Sequence, residues 1–233
     1  MQVSRDNAAP EPCPGSRIET IAVIDFETTG MAPASGGRAT EIAAVLVEGD
    51  EVVARFQSLM NSGAWVPPFV EQLTGISNRM LDAAPPSRAV MHEVARFTRG
   101  CPLVAHNAAF DRAYWRAEMA RAGVEPPPQP AMACTVLLAR RLYPEAPNHR
   151  LGTLSAWHAL PASGRAHRAL ADAETTAQLL LRIKRDLRDR FAAELGASEI
   201  SHALLAALQR CRRAKLAECV REMVGATATL TPA

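Results

Sequence analysis

From residue 18 to residue 26 the chain reads IETIAVIDF, a short, β-branched and largely apolar run of the kind that forms a strand buried on both faces. Two further partly alternating apolar runs, 40–47 and 51–59, meet at Gly49-Asp50, which predicts a hairpin. Pro67-Pro68 opens a helical stretch that ends near Gly75. Residues 87–98 carry Val90, Val94 and Phe97 at helical spacing before Gly100 stops them. A brief strand is expected over 102–106 and a helix over 109–122, closed by Gly123 and by the prolines at 126–128, which cannot continue it.

Two short helices follow at 135–142 and 151–160, then a loop of small residues over 161–167. A long helix begins within 169–172 and runs through Leu179, Leu180, Ile183 and Leu187 to a stop at Gly196. Residues 198–224 form one more helical pattern, and the last few residues read as frayed. Hairpin-linked strands followed by strand–helix alternation predict an α/β fold: a mixed sheet with helices on both faces.

Composition narrows the class without choosing a function. Of 233 residues, 48% are hydrophobic and 21% charged, which sets disordered and collagen-like chains aside. The net charge of +2 is too small to announce a nucleic-acid partner by itself. Five cysteines with no C-x-x-C pair argue against a disulfide framework and a zinc ribbon, so a reducing, cytoplasmic setting is expected. Residues 1–16 read as a disordered lead with no signal-peptide run, and no apolar stretch approaches the ~20 residues of a membrane span.

Candidate chemistry begins where the first strand ends, in Asp25-Phe26-Glu27. A period of two puts both carboxylates on one face, roughly 7 Å apart along the strand. Like charges so placed invite a cation, although D-x-E also commonly just ends a strand at the solvent edge. Asp111 opens the helix after the strand expected over 102–106, and Asp172 opens the long helix just after His167. First-turn aspartates are ordinary complements to the helix dipole, and a lone histidine is more often a surface residue than a catalyst. The order of four carboxylates and one histidine along strand and helix starts, all able to converge on the first strand, is what raises them above accident.

Three motifs carry a resemblance to a known family: VIDFETTG (23–30), VAHNAAFD (104–111) and HRALADA (167–173). With them the chain resembles the DEDD exonucleases of the DEDDh branch, on a ribonuclease H-like fold, and among these it is similar to the proofreading epsilon subunit of bacterial DNA polymerase III and its stand-alone relatives. The resemblance covers roughly 18–190. It implies an exonuclease domain, read over 17–195, and the C-terminal helical extension, 196–233, lies beyond the match. It further implies a 3′→5′ exonuclease in which Asp25, Glu27, Asp111 and Asp172 hold two divalent cations, Mg²⁺ or Mn²⁺. Hard oxygen donors suit those ions, and a pair of them suits phosphodiester cleavage. His167 takes the general-base role, its ordinary pKa near ~6.5 letting it accept a proton from water at neutral pH.

The segments ATEIAAV (39–45) and LTGISNRML (73–81) agree with that resemblance. Thr28 and Thr29 are expected to contact the terminal nucleotide, with turn chemistry the competing account. Leu73, Thr74 and Ile76 are candidates for the base pocket, although Leu73 and Ile76 suit a core equally well. Asn107 and Phe110 are further candidates, with Phe110 expected to pack inward, as are Trp115 and Trp157. The expected partner is a single-stranded 3′ end, DNA before RNA, with any polymerase or repair partner open. An RNA-directed exonuclease of the ribonuclease T or oligoribonuclease type is the alternative, and a non-catalytic adaptor is the alternative from another class. The C-terminal pattern, with the basic run Arg210, Arg212, Arg213 and Lys215, reads as a helix docked on the domain with a solvated charged face.

Overall fold

The computed structural model describes residues 18–125, 131–161 and 163–228. The expected N-terminal lead, Cys13, the proline run at 126–128 and residues 229–233 lie outside them. Among the described residues five strands form one mixed sheet: β1 (Thr20–Thr28), β2 (Ala39–Glu48), β3 (Glu51–Leu59), β4 (Leu103–Ala105) and β5 (Ala133–Cys134), in the order β3-β2-β1-β4-β5. β1 pairs antiparallel with β2 and parallel with β4, so it lies at the centre of the sheet. The helices are α1 (Pro68–Thr74), α2 (Asn78–Asp82), α3 (Ser87–Phe97), α4 (Ala108–Ala122), α5 (Thr135–Leu142), α6 (Leu151–Trp157), α7 (Ala169–Arg190), α8 (Ala192–Leu195), α9 (His202–Leu208) and α10 (Leu216–Ala228).

The near-continuous apolar character of β1 follows from burial on both sides. Ile21 and Val23 enter the cluster built with α7, whereas Ala22, Ile24 and Phe26 enter the cluster built with α3 and α4. Helix α7 presents Ala169, Ala173 and Ala177 to the core in its first half and Leu180, Ile183 and Leu187 in its second. The small residues let its N-terminal half lie close to the sheet, which brings its first turn to the end of β1.

Several boundaries differ from the sequence reading. The long helix does not run to Gly196; it ends at Arg190, and Phe191 separates it from the short α8. The single helix expected over 198–224 is two, α9 and α10, joined by a turn that holds the basic run. That break lets Leu204, Leu205 and Leu208 of α9 and Leu216 and Val220 of α10 enter the same cluster as β1 and α7. β5 was not foreseen, since two residues give no period to read. Its edge is covered by Gln209, whose side chain accepts from the Cys134 N–H at 2.7 Å and donates to the Met132 carbonyl at 3.3 Å.

The four described cysteines are free. Among the described residues no helix is long and apolar enough to cross a membrane.

Candidate active site

Asp25 and Glu27 continue the odd-numbered face of β1, whose earlier members Ile21 and Val23 are buried under α7. Alternation therefore aims both carboxylates at the side where α7 begins. Their cross-strand partners differ in a useful way. Asp25 stands opposite Ala43, which leaves room, and Glu27 stands opposite Glu41. The ladder then shifts register between Glu27 and Thr28, and β1 ends.

Asp111 arrives from the other face. Asn107, held in the left-handed region at φ 64°, turns the chain from β4 into α4 and places Asp111 in that helix's first turn. Asp111 is buried, and its Oδ1 accepts from the Phe26 backbone N–H at 3.2 Å. Asp172 lies in the first turn of α7, where its Oδ2 accepts from the His167 N–H at 3.1 Å. His167 is exposed and also left-handed, at φ 59°. Ligand atoms of Glu27, His167 and Asp172 all lie within 4.8 Å of one another.

The electrostatics of this cluster are unfavourable for a metal-free protein. Burial, followed by repulsion from Asp111, Glu27, Asp172 and Glu41, holds the Asp25 carboxyl well above its ordinary pKa. Burial and the neighbouring Asp172 and Glu41 push Glu27 up to about 8, with Arg168 opposing. Burial raises Asp111 to about 7 despite the hydrogen bonds from its own N–H and that of Phe26. Asp172 is raised too, again by burial first, with His167 opposing. A set of oxygen donors in which each charge resists its neighbours fits divalent cations such as Mg²⁺ or Mn²⁺.

The remaining expected contacts divide by exposure. Thr28 and Thr29 are buried and brace the turn: Thr28 Oγ1 accepts from the Gly30 N–H at 3.1 Å and Thr29 Oγ1 from the Arg38 N–H at 3.1 Å. Thr74 donates to the Val70 carbonyl at 2.9 Å, and Ile76 is fully buried with Val66, Val70 and Leu81, so both side chains support the site from beneath. Leu73 and Asn107 are exposed. Phe110 does not pack inward as expected; it is 39% exposed, its ring 4.9 Å from that of Tyr114. The Tyr114 hydroxyl in turn donates to the Met31 carbonyl, which fixes the loop after β1.

Phe69, 67% exposed, was missed by the sequence reading. It lies beside Gly30, where an added methyl would be in ordinary contact with it, 3.5 Å from Cζ. Its signal was its spacing, four residues before Leu73 on a single helix. Glu41 and Arg168 were missed as well. Of the tryptophans, Trp115 is buried, whereas Trp157 is exposed, against expectation, and lines a cleft with Tyr143, His158, Arg182 and Asp186 that contains none of the site carboxylates.

Acidic side chains gathered where the central strand of such a sheet ends, with a histidine at the mouth, define a nuclease domain of the DEDD type on a ribonuclease H-like fold. The chain belongs to the exonuclease family RNase_T, whose model matches residues 22–180. It is 38% identical over 170 residues to the 3′-5′ exonuclease DinG of Bacillus subtilis, covering 73% of this chain and 18% of that protein. It is 36% identical over 172 residues to the PolC-type DNA polymerase III of Bacillus cereus, covering 74% of this chain and 12% of that one. The chain thus spans less than a fifth of either relative. Among solved structures it is similar to Exonuclease X in complex with 5′ overhanging duplex DNA (TM-score 0.57, 29% identity, 71% of this chain and 91% of that chain). The nuclease domain of 3′hExo, a DEDDh family member bound to rAMP, shares the fold (TM-score 0.62, 21% identity, 73% and 94%).

Proposed function

We propose that this domain is a metal-dependent 3′→5′ exonuclease that removes nucleotides from single-stranded 3′ ends, of DNA in preference to RNA. The observation that carries the reading is the convergence of Asp25, Glu27, Asp111 and Asp172 at the end of β1, with His167 beside Glu27 and Asp172. The kinship with a PolC-type DNA polymerase III supports the preference for DNA. In this reading Asp25, Glu27, Asp111 and Asp172 hold two divalent cations. When bound, such ions keep the carboxylates ionised, offset charge on the scissile phosphate and ease deprotonation of water.

The protein's own groups supply the rest. His167, exposed at the mouth, accepts the proton of the attacking water. The turn braced by Thr28 and Thr29 sets the backbone beside the terminal nucleotide. Phe69, Leu73 and Phe110 offer apolar surface to its base, and base–aromatic stacking contributes about 1–3 kcal/mol per base with little regard for sequence.

Labelled single-stranded DNA and RNA of matched sequence, digested with Mg²⁺, with Mn²⁺ or with chelator, test the proposal together. A ladder shortening from the 3′ end, absent in chelator and faster on DNA, is the expected result. Endonucleolytic fragments, or cleavage that persists in excess chelator, would overturn it, and faster RNA decay would transfer the domain to the RNA-directed reading.

A further inference from the structure

Glu41 is a fully buried carboxylate near the start of β2, beside Glu27 across the ladder. Both of its oxygens are saturated from within the protein. Oε1 accepts from Gln57 Nε2 at 2.6 Å and from an Arg168 terminal nitrogen at 2.7 Å. Oε2 accepts from Arg168 Nε at 3.1 Å and from the Ala169 N–H at 3.0 Å. A carboxylate has about four acceptor positions, so Glu41 has none left for a cation. This separates it from the other acidic residues of the cluster.

Arg168 and Ala169 directly follow His167, whose left-handed backbone is a conformation non-glycine residues adopt at a cost and keep only when their surroundings enforce it. Residues 164–167 are exposed, with Arg165 lying against Gly75 and Gly164 near Ala171. His167 is instead fixed at its two ends: its N–H is bound to Asp172, and the two residues after it are bound to Glu41.

We propose that the Glu41–Arg168 pair is a latch that positions His167 at the carboxylate cluster, making both of them positioning residues for the exonuclease reaction. The inference rests on the reading of His167 as the base. The fork of the Arg168 guanidinium matters as much as its charge, because two parallel bonds fix direction as well as distance. Releasing the latch leaves the cations' ligands in place and lets the imidazole wander. A misplacement of about 1 Å is enough to cost roughly 10²-fold in rate.

The test is a double-mutant cycle on the full chain: wild type, Arg168→Gln, His167→Ala and the double variant. Single-turnover cleavage of a single-stranded oligonucleotide, KM and calorimetric Mn²⁺ affinity are measured for each. Arg168→Gln is expected to lower the rate about 10²-fold with KM and Mn²⁺ affinity nearly unchanged, and to lower it no further once His167 is alanine. Arg168→Lys, which keeps the charge without the fork, should fall between wild type and Arg168→Gln. If Arg168→Gln unfolds, as circular dichroism would reveal, Arg168→Lys takes its place in the cycle. An equal loss from the Arg168 change with and without His167, or a matching loss of Mn²⁺ affinity, overturns the latch while the base reading stands. A His167→Ala variant as fast as wild type overturns the base reading, and the latch falls with it.

Discussion

The Phe26 backbone N–H, between Asp25 and Glu27 on β1, donates to Oδ1 of Asp111 across 85 residues of sequence. This bond ties α4 to the strand that carries the first two carboxylates, so Asp111 has a structural part as well as a charge. Asp111→Asn keeps an acceptor for Phe26 and should fold with a melting temperature near wild type while losing most activity. Asp111→Ala leaves a buried N–H unpaired, which costs about 1–3 kcal/mol in addition. Thermal melting with cleavage rates separates the two; equal stabilities for Asn and Ala would remove the structural part.

Carboxyl pKa values raised on folding make the metal-free protein pH-sensitive in a defined direction. The folded state holds protons on Glu27 and Asp111 that the unfolded chain releases near the ordinary carboxylate range. That contribution to stability is complete below the ordinary range and is lost as pH rises through about 7 for Asp111 and about 8 for Glu27. In chelator the melting temperature should therefore fall between pH 5.5 and 8.5. Added Mg²⁺ should raise it slightly at the low end and by several degrees at the high end, since ligands that bind the folded state stabilise it. A Mg²⁺ effect that is the same at both pH values would count against a site made of these residues.

Removing one charge from the cluster should separate stability from activity. Asp25→Asn relieves repulsion from four acidic neighbours. In chelator at pH 8 the variant is expected to melt above wild type, yet to cleave at least about 10³-fold more slowly, because an interaction needed in the transition state is gone. A variant less stable than wild type under those conditions would mean Asp25 is held by attractive partners.

For the rim, Phe69→Ala and Phe110→Ala should each raise KM about 5- to 150-fold, the range that stacking of about 1–3 kcal/mol corresponds to. The effect should be similar for oligonucleotides of different sequence. Leu205→Ala, in the core cluster and remote from these contacts, should do the opposite: KM stays unchanged while stability drops by about 2–5 kcal/mol. Deleting residues 198–233 removes Leu204, Leu205, Leu208, Leu216 and Val220 together and should yield insoluble protein.

Local pattern was enough for β1, the β2–β3 hairpin, α4 and the start of α7, because each is framed by glycine, proline or a clean period. Together with the motif resemblance, it singled out Asp25, Glu27, Asp111, His167 and Asp172 as candidates, which stand at or beside the ends of those elements. Glu41 was not legible. It sits inside an apolar strand, and what makes a buried acid tolerable there, Arg168, lies 127 residues away. The same holds for exposure. Phe110 and Trp157 read as core by residue type, but whether a helical face is covered depends on neighbours that periodicity does not name. The break between α9 and α10 has no proline or glycine to mark it, and the apolar spacing runs through it unbroken.

The Gln209 amide does for β5 what another strand would do, offering one acceptor and one donor to the backbone at the sheet's last edge. An uncovered edge is a template on which a second chain can add by backbone pairing, and it is the usual starting point for strand-swapped assemblies and fibrils. With only two residues in β5 and a glutamine across them, that template is closed at this edge of the folded chain. Gln209→Ala should consequently behave as a self-association variant before it behaves as an inactive one, with its defect growing with protein concentration rather than with substrate.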